Sequence, residues 1–156
     1  MTGWASTLRW PAEVALAGGV IYSGEIHVLP RAERHMGPET PVDMLNRAEG
    51  FFALSVREGG ALLVAKAHVL FVAVPSEPPE PPMDDPERAS AAQTMQLRFE
   101  LSDGSTCEGQ VSLEPPPARE RPLDFLNLAP GFFSVWSPDA VRLINRTHIR
   151  TVLVLT

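Results

Sequence analysis

A chain of 156 residues, 44% hydrophobic and 21% charged, has globular composition and the length of one ordinary domain or two very small ones. Its formal net charge of -6 opposes a phosphate backbone and counts against nucleic-acid partners. The single cysteine, Cys107, excludes an intrachain disulfide; with no signal-peptide pattern and no apolar stretch long enough for a bilayer, the sequence predicts a soluble cytoplasmic protein without membrane contact.

The first elements are a pair of strands within "VALAGGVIYSGEIHVL" (Val14 to Leu29), with two glycines at the turn. "PVDMLNRAEGFF" follows, from Pro41 to Phe52. Proline suits the first turn of a helix, and Asp43 there complements the helix dipole. Asn46 ends a single turn, and Gly50 offers a left-handed exit into the next strand. Strands are then predicted near Phe51 to Arg57, Ala61 to Ala65 and Val69 to Val74. Residues 75–93 are rich in proline and acidic side chains and nearly devoid of apolar ones, which predicts an extended linker.

After the linker the same grammar returns. "FELSDGSTCEGQVSLE" (Phe99 to Glu114) lies over the first pair of strands at an offset of 85, with Gly109 over Gly24. Alternation in "MQLRFELSD" places Met95, Leu97, Phe99 and Leu101 on one face, and Asp103-Gly104 forms a tight turn. "PLDFLNLAPGFF" (Pro122 to Phe133) repeats the earlier phrase at an offset of 81, with Leu123, Leu126 and Phe125 expected to share the inward side. "RTHIRTVLV" (Arg146 to Val154) lies over "KAHVLFVAV" (Lys66 to Val74) at an offset of 80. The expected architecture is mainly β: two tandem five-stranded small barrels, residues 1–74 and 94–156, each with a one-turn helix between its second and third strands, related by a pseudo-twofold duplication.

The recurring polar residues Asp43, Asn46, Asp124 and Asn127, with Gly50 and Gly131, all have structural work to do in this scheme. No third ligand recurs beside them to hold a metal or orient water. His68 and His148 recur before the last strand of each copy; a pair so related could share a metal at an interface, but with no Cys, Asp or His at ligand spacing the expected role is to cap a turn or pair with a backbone carbonyl, and no metal is expected. His27 and His35 do not recur. Cys107 has an acidic neighbour and no electropositive setting, which marks a small strand filler rather than a nucleophile. No nucleophile elbow, phosphate loop or dinucleotide fingerprint occurs, so neither enzyme activity nor a cofactor is predicted.

"LINRTHIRTV" (Leu143 to Val152), closing a five-strand unit that opens with "FELSDGSTCEGQV", resembles the last and first hairpins of Sm-like proteins, including the bacterial Sm-like RNA chaperone. The resemblance implies a small SH3-like barrel whose edge strands join neighbouring subunits, often in rings. The family's Lys-His pair falls here on Arg146 and Thr147 and on Lys66 and Ala67, so its RNA pocket does not carry over. The DFLN element followed by "LIN..HI" also resembles uncharacterised bacterial proteins, which bring no activity with them. "DGSTCEG" (Asp103 to Gly109) is similar to the second signature of PilZ domains, with one residue too many and no companion RxxxR.

Two functional expectations result. One is a non-enzymatic scaffold or adaptor that binds a protein partner, or itself, through strand edges. The other is an RNA or cyclic-nucleotide module whose ligand-binding candidates are Lys66, His68, Arg146, His148 and Arg150.

Overall fold

A computed structural model describes residues 7–32, 37–75, 93–113 and 122–155. In chain order the elements are β1 (Leu8–Leu16), β2 (Val20–Val28), α1 (Pro41–Leu45), β3 (Phe51–Val56), β4 (Ala61–Ala65) and β5 (Val69–Pro75). They continue with β6 (Gln93–Leu101), β7 (Thr106–Leu113), α2 (Pro122–Leu128), β8 (Phe132–Trp136), β9 (Ala140–Asn145) and β10 (Ile149–Leu155). Short 3₁₀ turns, Lys66–His68 and Arg146–His148, precede β5 and β10.

All the strands lie in one open antiparallel sheet, in the order β10-β6-β7-β8-β9-β5-β1-β2-β3-β4. Within the first half this reads β5-β1-β2-β3-β4, and within the second β10-β6-β7-β8-β9, so the order is the same in both. The halves meet where β5 pairs with β9, from Phe71 opposite Ile144 to Pro75 opposite Ala140. That seam continues the hydrogen-bonded ladder of each half and leaves β4 and β10 as the outer edges.

Alternation along the strands produces two apolar cores. Val14, Ile26, Leu54 and Val72 of the first half pack with Met44 and Leu45 of α1. Phe132, Val141 and Leu143 of the second half join that same core across the seam. On the other side, Leu97, Phe99, Val111, Val135 and Ile144 form the second core, with the Phe133 ring edge-on to Phe125 of α2 at 5.4 Å between centroids. Gly24 and Gly109 mark where the chain must come close. A Cβ on Gly109 would lie 2.6 Å from both Trp136 O and Val135 Cγ1, and one on Gly24 would run into Ser55 O.

The doubled phrase differs from expectation in three respects. α2 runs for seven residues and includes Asn127, whereas α1 has five and is capped by Asn46. Gly50 and Gly131 are not left-handed; the positive φ values belong to turn glycines such as Gly19, Gly59 and Gly104. The chain leaves each helix through a bend instead, and the carbonyls of Gly50 and Gly131 accept from Lys66 N and Arg146 N, both at 2.8 Å. Leu123 points outward and is exposed, leaving Phe125 and Leu126 to pack on the second core. The predicted linker lies mostly outside the described residues, as does His35, but Pro75 and Gln93 at its ends belong to strands.

Candidate interaction surface at the seam and the open edges

The start of α1 is fixed locally by a capping box: Thr40 Oγ1 accepts from Asp43 N at 3.3 Å, and Asp43 Oδ2 accepts from Thr40 N at 3.0 Å. Asp43 is thereby a structural cap, and Asp124 occupies the first turn of α2. At the other end, buried Lys66 donates to Met44 O and Arg47 O, each at 3.1 Å. Burial lowers the pKa of its ammonium, and the nearby Arg47 charge lowers it further. Arg146 does the corresponding work for α2, donating through Nη1 to Leu126 O at 3.1 Å and Asn127 O at 3.2 Å. Cations at these helix ends satisfy carbonyls that have no intrahelical partner.

Asn46 reaches across the seam. Its Nδ2 donates to Phe132 O at 2.9 Å, and its Oδ1 accepts from Phe132 N at 2.8 Å. Here β7 pairs with β8 only through Gln110 opposite Trp136, so the backbone of Phe132 on that side has no strand beside it. The Asn46 amide supplies the donor and acceptor that a strand would have given. Asn127, at the same place in the second phrase, is exposed.

Two other side chains tie the seam. Buried Asn145 donates through Nδ2 to Lys66 O at 3.2 Å and Val69 O at 3.0 Å, while its Oδ1 accepts from Thr147 N and Oγ1. His148 Nε2 lies 2.7 Å from Ala67 O, and its Nδ1 lies 2.8 Å from Ser102 Oγ. A carbonyl can only accept, so Nε2 carries the proton. His68 is exposed, and its carbonyl accepts from Ala17 N just as that of His148 accepts from Ser102 N. Arg150 pairs with Glu100 at 3.2 Å on the surface. The ligand candidates are therefore not gathered into one pocket: Lys66 and Arg146 serve two different helices, and Arg150 lies on the outer edge strand. Among the described residues no group of three or more His, Cys, Asp or Glu side chains could hold a metal ion.

An open groove of about 1160 Å³ is bordered by Arg9, Glu25, His27, Ser55, Arg57 and Asp139. His27 is buried there between two hydroxyls: Nε2 meets Ser55 Oγ at 2.7 Å and Nδ1 meets Thr7 Oγ1 at 3.0 Å. Burial lowers its pKa, helped by the charge of Arg9, which favours neutral imidazole. A hydroxyl beside neutral imidazole resembles an activated nucleophile. Ser55 nevertheless sits within β3, flanked by Glu25 of β2 and Ala61 of β4 in register, which leaves its backbone committed to sheet ladders rather than turned toward a reacting oxyanion. Cys107 is buried and its thiol pKa is raised by that burial, the opposite of a reactive thiolate.

Sequence reasoning missed Asn145 and the His27–Ser55 pair. The available signal was failure to recur: Asn145 lies over Ala65, and a lone asparagine ending an apolar strand needs partners from elsewhere. Among the described residues no helix is long and apolar enough to cross a membrane. Compared with protein-family models, curated proteins and solved structures, the chain has no significant match.

Proposed function

We propose that this protein is a non-enzymatic interaction scaffold, built from two copies of a small Sm-like, SH3-like β unit and working through the open edges β4 and β10. The observation that carries the reading is the seam. One edge of each half is already satisfied by an edge of the other, in the β5–β9 ladder, and the remaining two edges are the same kinds of strand left open. Duplication is supported by the shared strand order, the matching backbone bonds from Lys66 and Arg146, and glycines 24 and 109 facing equivalent carbonyls.

Edge strands are ordinarily guarded by charge or proline. β4 reads ALLVA, without either, and β10 reads IRTVLVL, with one arginine. Such unguarded strands suit addition of another strand, with main-chain bonds giving affinity and side chains giving choice. The nucleotide reading has less behind it, because Lys66 and Arg146 are spent on helix carbonyls and Arg150 on Glu100.

The test is affinity purification of the tagged full chain from the cells that make it, beside Leu63→Lys and Val154→Lys, which put a charge on each edge. Proteins recovered with the wild type and lost with an edge variant support the scaffold. Identical recovery from all three overturns it.

A further inference from the structure

We propose that the cleft where β7 parts from β8 is a binding site for a small, neutral primary carboxamide carried on an apolar or aromatic body. The site lies within the sheet and is separate from the open edges β4 and β10.

The inference begins with the direction of the backbone groups along β8. Ser137 N donates to Ala140 O, and Gly131 O accepts from Arg146 N, so the odd-numbered residues turn their peptide groups toward β9. Strand alternation then turns those of Phe132, Ser134 and Trp136 the other way, toward β7. β7 meets them only at Trp136, opposite Gln110. The next rung would set Ser134 opposite Ser112, and the ladder stops before it. In the first half the equivalent rung, Glu25 opposite Ser55, is followed by Ile26 opposite Leu54, so that ladder continues. Half-buried Ser134 is thus left with a donor and an acceptor aimed into the cleft and no strand paired to them.

Asn46 shows what such a rung accepts. On the neighbouring rung its carboxamide bridges the N–H and C=O of Phe132, at 2.8 and 2.9 Å. A primary carboxamide can do so because one of its N–H bonds lies on the same side as its C=O. A trans peptide bond turns the two to opposite sides. Ser134 offers the same pair of groups to a second carboxamide. The cleft has room for one: it encloses about 580 Å³, the size of a small-molecule site, and Val42, Phe125, Pro130 and Trp136 give it apolar walls. The charges around it are engaged or hostile to an anion. Arg47 pairs with buried Glu39 at 2.9 Å, Asp43 caps α1, and Glu49 is exposed beside the cleft. A neutral ligand is thereby favoured over a carboxylate.

The experiment is an amide NMR titration of the full chain with benzamide. The Ser134 N–H signal is expected to shift and to saturate with a dissociation constant of about 1 mM. N,N-dimethylbenzamide keeps the acceptor and loses both donors, and benzoate adds a negative charge. Each should bind at least about tenfold more weakly than benzamide. Ser112→Leu puts a branched apolar side chain into the cleft and should abolish the shift while the thermal unfolding midpoint is retained. A Ser134 signal unmoved at about 10 mM benzamide, equal affinity for the dimethyl compound, or undiminished binding to Ser112→Leu overturns the site. A blocked trialanine with secondary amides only, if it shifts Ser134 more strongly than benzamide, overturns the small ligand in favour of a peptide strand. Should Ser112→Leu fail to fold, the three benzoyl probes still decide.

Discussion

Replacing Asn46 with alanine removes the side chain that, among the described residues, bonds the backbone of Phe132 on the side away from β9. Two bonds are lost, of 2.9 and 2.8 Å, and both backbone groups are left in a part-buried place that methyl cannot serve. A net hydrogen bond is worth about 1 kcal/mol, and a buried group left without a partner costs about 1–3 kcal/mol. Some water reaches this site, so the lower half of the range applies and the expected loss is about 2–3 kcal/mol. For a chain of this length that corresponds to a fall in Tm of about 5–10 °C. The assay is urea and thermal unfolding of Asn46→Ala beside wild type, in the Leu63→Lys background so that association does not contribute. Asn127→Ala in that background should change stability by less than about 0.5 kcal/mol, as exposed positions do. Equal losses at the two asparagines, or none at Asn46, would refute the claim that one spans a formed seam and the other lies exposed.

Three further outcomes are expected. Lys66→Met should cost about 2–3 kcal/mol, because the carbonyls of Met44 and Arg47 lose a charged donor in a buried place, while Arg146→Met at its exposed counterpart should cost under about 1 kcal/mol; unfolding curves decide. Gly109→Ala forces a methyl against a backbone oxygen at 2.6 Å and should destabilise by about 1–3 kcal/mol or abolish soluble expression, and wild-type stability would disprove the close approach. His27 is held neutral by burial, so its folded pKa lies below the ordinary 6.5. The unfolded chain therefore takes up the proton first as pH falls through that value, and stability declines from there toward the folded pKa. Denaturation between pH 7 and 5 should show this slope in wild type and a shallower one in His27→Gln; identical slopes would exclude His27 as the source.

Much of the scaffold was readable from local pattern. Alternation around Leu97, Phe99 and Leu101, the Asp103-Gly104 turn and the offsets of 80 to 85 residues place ten strands and two helices near where they lie. What local pattern does not encode is pairing between halves. The partners of β5 depend on which strand reaches it in space, and Phe71 gives no sign that Ile144 will lie opposite. The same limit applies to Asn46. Its place at the end of a helix reads as a cap, whereas its partner, Phe132, is 86 residues away. The exposure of Leu63 and Phe51 was equally hidden, because their counterparts Leu143 and Phe132 are as apolar and are buried. Identical letters met different surroundings, and that asymmetry exists only in the assembled sheet.

Amide hydrogen exchange of β4 and β10, compared between the purified chain and the chain recovered with its captured partners, tests the central claim most directly. The alternate amides of these strands that point away from the sheet should exchange freely in the purified chain. They should be protected in the recovered complex, while those of β5 and β9 stay protected throughout. Equally fast exchange of the β4 and β10 amides in both samples would contradict the proposal that these edges receive another chain.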